Sequence, residues 1–392
     1  MSGREFEEFI KKLNDKVEPT RKYIFCFLEI FASEGGIQSY GKDILKAYLS
    51  LVKPTNSLPQ AEVLLLRDSP DSKHFSDSKA LKFHYLNTQP PWLGRLKFAT
   101  TLLTCLLQQK PERVFCGHIN LAPLIQLLCQ PLGIPYTVIT YGKEVWEPLS
   151  PQYQKALRQA DQIWAISRYT RDRACAPNHL NPHKFQLLPC TVDADFFTPG
   201  PKPQNLIQRY NLDDAKVLMT VARLWSGDIY KGVDVTIRAL PGISQAFPTV
   251  KYLVVGRGDD QPRLAKLAQD LGVGDRVIFA GFVPTAELAA HYRLADAYSM
   301  PSQEGFGIAY LEAMACGIPV LAGDADGSAD PLQEGQLGWR VPHRDPEAVA
   351  TACIEMLRGT DQRCDRHWLR QKTLTAFGTD SFTQRVKQLL NL

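Results

Sequence analysis

Short β-rich apolar runs alternate with stretches of helical periodicity along this chain, and the alternation runs twice. The first series has apolar runs at 23–30, 63–66, 113–117, 136–140, 162–167 and 185–189, with helical patterns at 38–51, 93–108 and 121–129. The second has runs at 217–221, 252–256, 277–281, 297–300, 319–322 and 339–341, with helical patterns at 233–247, 263–271, 285–294 and 306–316. Strands that alternate with helices predict a parallel sheet covered on both faces. Between the two series stands Pro199-Gly200-Pro201-Lys202-Pro203, which can form neither helix nor central strand. The expected fold class is therefore α/β, with two doubly wound Rossmann-like domains. The expected division is 1–198, a linker at 199–205, a second domain at 206–376, and a last helix at 377–392. Ligands in open α/β sheets bind beyond the carboxyl ends of the strands. The strand ends of the two domains are thus expected to face each other across a cleft.

Composition narrows the function. Lys and Arg number 45 against 41 Asp and Glu, an excess of +4. A nucleic-acid footprint should be clustered and large, so no nucleic acid is expected as partner, whereas one local site for a diphosphate is compatible with this balance. The nine cysteines form no CxxC and sit mostly inside apolar runs, which predicts buried, reduced thiols. No His/Cys cluster has the spacing of a zinc site. No window reaches the roughly 20 apolar residues of a membrane span, and the first residues carry acids where a leader's apolar core would begin. Residues 5–17 read as a helix packed on its own domain, with Phe6, Phe9, Ile10, Leu13 and Val17 on one face.

The most informative segment runs Glu304-Gly305-Phe306-Gly307-Ile308 and on through Glu312 to Gly317. Gly305 and Gly307 let backbone approach a ligand. The free N–H groups and the positive dipole end of the following helix suit an anion. Glu312 lies six residues past Phe306, about 9 Å along a helix. Glu304 and Glu312 are therefore separated by roughly the span of a diphosphate, one able to hold a hexose and the other a ribose. Arg223, at the end of the strand at 217–221, and Lys231-Gly232 in the next loop place two cations at one strand end. Such cations stabilise negative charge developing on a leaving nucleotide without a metal ion. Two Asp-x-Asp triplets, Asp193-Ala194-Asp195 and Asp324-Ala325-Asp326, read as turn residues, not as a metal site.

Taken together, the E-x7-E segment, the Arg223…Lys231-Gly232 pair, Gly256-Arg257-Gly258 after a strand, and Gly281-Phe282-Val283 resemble retaining glycosyltransferases of family 4, the group 1 glycosyltransferases, with the GT-B fold. In the first domain Gly35-Gly36, Ser167-Arg168-Tyr169-Thr170, and Leu188-Pro189-Cys190-Thr191-Val192-Asp193 with Phe196 resemble the family's glycine-rich loop, its SxxT helix start and its PNGVD…F segment. Residues 382–390 resemble the terminal helix that crosses back to the first domain. The resemblance implies a hexosyltransferase that moves a sugar from a nucleotide-diphosphate donor, UDP- or GDP-linked, to a hydroxyl on a glycan or lipid-linked acceptor. It implies that Arg223 and Lys231 hold the diphosphate, Glu304 contacts the transferred sugar, Glu312 holds the ribose, and His118 stands near the reacting carbon. Gly35, Gly36, Gly256, Gly258, Val283, Gly305, Phe306, Gly307 and Ile308 would line the donor, with the first domain on the acceptor side. No cofactor and no metal are implied. One departure falls on the acceptor side: where many members read His-Gly-x-Glu, this chain reads Tyr141-Gly142-Lys143-Glu144. The expected location is the cytoplasm, with peripheral contact at the inner face of the membrane left open. A nucleotide-sugar epimerase of the same fold and a non-catalytic sugar-nucleotide sensor are the alternatives. A NAD-dependent oxidoreductase is disfavoured, because Gln261 stands where a dinucleotide fingerprint needs its third glycine.

Overall fold

A computed structural model describes residues 22–33, 35–52, 61–72 and 80–392. The helix expected at 5–17 lies outside the described residues. The chain divides into two compact units. The first comprises Met1–Thr140, Pro148–Trp164 and Pro177–Gln186, and the second Tyr141–Glu147, Ala165–Ala176 and Leu187–Leu392.

The first unit is built on a seven-stranded sheet in the order β3-β2-β1-β4-β5-β6-β7. Its strands are β1 (Tyr23–Phe27), β2 (Ala61–Leu65), β3 (Leu81–Tyr85), β4 (Arg113–Cys116), β5 (Tyr136–Thr140), β6 (Gln162–Ala165) and β7 (Phe185–Leu187). β1 pairs in parallel with both β2 and β4, so the winding reverses between β1 and β4. The central strands are buried along their whole length because helices cover both faces. Phe25 stacks on Phe115 at 4.9 Å between centroids, and Phe115 meets Trp164 at 5.0 Å. Helices α1 (Gly36–Leu51), α2 (Pro91–Gln109) and α3 (Ala122–Cys129) belong to this unit.

The second unit holds a six-stranded sheet, all parallel, in the order β10-β9-β8-β11-β12-β13. These strands are β8 (Lys216–Val221), β9 (Val250–Val255), β10 (Val277–Gly281), β11 (Ala297–Met300), β12 (Val320–Gly323) and β13 (Trp339–Val341). Its core packs Ile237, Leu240 and Ile243 against Leu218, Tyr252 and Val254. Two doubly wound sheets are what the alternating pattern predicts. Several element ends differ, each for a local reason. β1 stops at Phe27, short of Ile30, because the N–H groups of Ile30, Phe31 and Ala32 donate to the buried Asp68 carboxylate at 2.8, 3.0 and 2.6 Å. β6 stops at Ala165 because Ser167 caps the next helix, accepting from Thr170 N–H at 3.0 Å. The apolar pattern does not predict the strand at 81–85, since Lys82 and His84 interrupt its apolar run at a sheet edge.

Candidate functional site

The second sheet reverses its winding between β8 and β11, and the segments leaving those two strands carry the charged residues. A ligand crevice is expected at such a switch point. Arg223 follows β8, and Lys231 ends the 3-10 turn Ser226–Lys231. Glu304 follows β11. Lys231 Nζ and Glu304 Oε1 form a largely buried ion pair. Burial works against the Lys231 charge, but Glu304, with Tyr230 and Asp228, outweighs it and raises the pKa above the ordinary lysine value. Arg223 is exposed; its Nη2 lies 3.1 Å from Asp228 Oδ2, and its guanidinium stands 5.0 Å from the Trp225 ring centroid. The turn can bring Lys231 here because Gly232 has φ +73°. A Cβ at Gly232 would come within 2.3 Å of the Pro301 carbonyl oxygen.

A third cation joins these two. Lys143 Nζ sits 3.1 Å from the centroid of the Tyr230 ring, and Lys231 Nζ lies 5.1 Å from the same centroid. Burial lowers the Lys143 pKa, against the pull of Asp228 and Glu304 and with the repulsion of Lys231 and Arg223. The sequence places Lys143 in the acceptor-side departure from the family pattern. The structure places it beside Tyr230, close to Lys231, in the second unit. Its neighbour Glu144 accepts from Tyr141 N–H at 2.5 Å, and burial raises the Glu144 pKa.

The Glu304 loop is fixed through its backbone. Glu304 N–H donates to Asp326 Oδ2 at 2.6 Å, and Gly327 N–H donates to the Glu304 carbonyl at 2.8 Å. Ser167 Oγ donates to the Gly305 carbonyl at 2.5 Å. Gly307 caps the helix α4 (Ile308–Ala315) at φ +94°, so the helix begins two residues later than the pattern at 306–316 suggests. Phe306 is buried against Phe377, with centroids 6.0 Å apart, so it can offer a donor only its backbone. Glu312 sits about one turn inside the helix and accepts from Tyr292 OH at 2.7 Å. Burial raises its pKa, and the Tyr292 bond opposes that rise.

Residues 215–359 match the family described as Glycosyl transferases group 1. Over 359 residues the chain is 32% identical to a GDP-mannose-dependent alpha-(1-6)-phosphatidylinositol monomannoside mannosyltransferase of Mycolicibacterium smegmatis, covering 85% of this chain and 90% of that one. The chain belongs to the group 1 glycosyltransferases. It is also 32% identical over 210 residues to a D-inositol 3-phosphate glycosyltransferase of Mycobacteroides abscessus, covering 52% of this chain and 46% of that protein. The fold is GT-B. The solved structure of Anabaena HepE in complex with UDP superposes with a TM-score of 0.77 at 19% identity, over 94% of this chain and 99% of that one. Sucrose-phosphate synthase from Thermosynechococcus elongatus superposes at 0.73 with 20% identity, over 95% and 98%.

Other motif residues of the glycosyltransferase have structural reasons of their own. A Cβ at Gly256 would lie 1.8 Å from the Ala222 carbonyl oxygen, and one at Gly258 would lie 2.0 Å from that of Leu224. These two glycines therefore allow the backbones after β8 and β9 to run side by side, with Leu224 N–H donating to Arg257 at 3.0 Å. Val283 is buried beside the exposed Phe282. One carboxylate of each Asp-x-Asp triplet accepts hydrogen bonds within a turn. Asp193 accepts from Asp195 and Phe196 N–H at 3.0 and 3.1 Å, and Asp326 accepts from Ser328 N–H at 2.9 Å.

His118, Gly35 and Gly36 lie in the first unit, beyond the ends of β4 and β1. A cavity of about 100 Å³ there is lined by Glu29, Gln38, Arg67, Gly117 and His118 among others. His118 Nδ1 accepts from Asn120 N–H at 3.1 Å, so its neutral ring carries the proton on Nε2. Burial, followed by the Arg67 charge, lowers its pKa against the pull of Glu29. Gly36 begins α1, and Gly35 is extended there, a conformation open to any residue. Asp68, which sequence reasoning missed, anchors the loop ahead of these glycines. Sequence spacing also did not show the Glu62, His84 and Cys105 cluster, whose ligand-type atoms lie within 4.8 Å of one another. Its carboxylate is already bound by His84, by Gln109 Nε2 at 2.5 Å and by Lys82 Nζ at 3.4 Å.

Proposed function

We propose that this glycosyltransferase takes mannose from GDP-mannose and transfers it to a hydroxyl of a lipid-linked polyol or sugar. On this reading the anomeric configuration is retained and no metal ion takes part. The convergence of Arg223, Lys231 and Lys143 around Tyr230 and Glu304 carries the reading. As the bond from the anomeric carbon to the phosphate oxygen breaks, charge grows on the diphosphate, and fixed cations stabilise it without reorganisation. The acceptor oxygen bonds to the anomeric carbon on the same face, and its proton passes to the departing phosphate oxygen. Glu304 contacts the sugar, and Glu312 the ribose. The first-unit cavity with Arg67, Gln38 and the Nε2–H of His118 is assigned to the acceptor, and Gly35 and Gly36 to the diphosphate. The GDP-mannose-dependent activity of the Mycolicibacterium relative on a phosphatidylinositol monomannoside supports mannose, GDP and a phosphatidylinositol-type acceptor for this chain. Among the described residues no helix is long and apolar enough to cross a membrane. The enzyme is accordingly proposed to work in the cytoplasm, peripherally at the inner face of the membrane that holds its acceptor.

The test uses the full chain with GDP-mannose, UDP-glucose and ADP-glucose, first by thermal shift and then by transfer to a mannosylated inositol phospholipid in excess chelator. GDP-mannose at 100 times its dissociation constant should stabilise by about 2.7 kcal/mol, and transfer should persist with chelator. Preference for a UDP- or ADP-sugar overturns the donor assignment. Strict dependence on manganese overturns the metal-free mechanism.

A further inference from the structure

Helix α2 is apolar on two sides. Its inner side buries Phe98, Leu102, Cys105 and Leu106. Its outer side leaves Trp92 at 63%, Leu96 at 51%, Leu103 at 38% and Leu107 at 56% exposure. At about 100° per residue these four fall within roughly 60° of the helix circumference, so they form one stripe along the helix instead of scattered surface residues. Thr100 and Thr104 border the stripe, and their hydroxyls donate back to the Leu96 and Thr100 carbonyls at 3.1 and 2.9 Å. The helix contains no Asp or Glu, while Arg95 and Lys97 are exposed on either flank and Lys110 closes its end.

An exposed apolar stripe of this length marks an interaction surface. Flanking cations without acids fit an anionic bilayer, into which Trp and Leu enter while Lys and Arg meet the headgroups. We propose that α2 docks the enzyme on anionic membrane, in the plane of the surface, so that a lipid-linked acceptor reaches the site without leaving the bilayer. The inference rests on the lipid-linked acceptor proposed above.

The full chain is sedimented with sucrose-loaded vesicles of phosphatidylcholine, with and without 30 mol% phosphatidylglycerol, roughly at 0.05 and 0.5 M salt. The wild type should bind the anionic vesicles, lose most of that binding in high salt, and leave pure phosphatidylcholine largely unbound. The triple variant Leu96→Gln/Leu103→Gln/Leu107→Gln should partition at least tenfold less. It should keep its thermal midpoint and its rate on a soluble deacylated acceptor. Equal vesicle binding by wild type and triple variant overturns the proposal. So does a dimer of the wild type that the triple variant loses in size-exclusion chromatography with light scattering, since the stripe would then belong to a second copy. Vesicle binding through α2 with no transfer to any inositol lipid would leave the surface standing and sink only the acceptor reading.

Discussion

Lys231 is the side chain on which most of the site's electrostatics turns. It is charged although largely buried, because Glu304 meets it directly. On the proposed reading a donor diphosphate would offer the same ammonium a second and stronger anionic partner. Lys231→Ala should therefore lose about 2.7–4 kcal/mol of transition-state stabilisation, a drop of about 10²–10³ in kcat. Steady-state kinetics at saturating donor reads this directly, and near-wild-type turnover would remove Lys231 from the mechanism. Lys143 acts in the same field from over the Tyr230 ring. Lys143→Ala should weaken donor binding by about 1–2 kcal/mol, seen as a donor KM raised about 5–30-fold. Circular dichroism of the variant should be unchanged, since Lys143 is exposed.

At the level of elements, the site depends on loops anchored by buried carboxylates. Asp326 holds the Glu304 backbone while burial pushes its pKa up to about 6. A folded-state pKa above the unfolded one means that the folded protein binds the proton more tightly. Stability from this group is therefore highest below about pH 4, falls as pH rises to about 6, and is flat above, a loss on the order of 3 kcal/mol. Urea unfolding from pH 4 to 7 should show this fall in the wild type and a flatter difference curve in Asp326→Asn. If both proteins show the same slope, Asp326 is not the group responsible. Asp68 plays the matching part in the first unit, yet neither aspartate was legible as an anchor. Asp68 lies 38 residues from Ile30, and Asp326 lies 22 residues from Glu304, so each depends on strands being paired first. What was legible was local. Gly307 before an apolar helix, Gly232 after Lys231, and paired acids eight residues apart each announce a strand-to-helix turn with charge at its tip. The edge strand at 81–85 was hidden because Lys82 and His84 break its apolar run.

For the molecule as a whole, the small charge excess conceals a local gathering of cations in the second unit, with Arg223, Lys231 and Lys143 set against Asp228 and Glu304. Two of these cations could be placed from the motif at one strand end, but the third could not. It comes from a segment 80 or more residues earlier, which lines up with the second unit only once the chain has folded. That arrangement has a consequence for how the protein comes apart. Tyr141–Glu147 and Ala165–Ala176 precede the Pro-rich break but are counted in the second unit, where Arg168 N–H and Ser167 Oγ hold Asp330 and Gly305. Thr191 and Val192, also ahead of the break, bind the Phe377 carbonyl at 2.9 and 3.0 Å. The covalent boundary and the packing boundary do not coincide. A single protease cut within 199–203 should therefore yield two fragments on a denaturing gel but one particle in native size-exclusion chromatography. A piece made from residues 199–392 alone should expose the seat those segments leave, and should aggregate unless the earlier residues are supplied in trans.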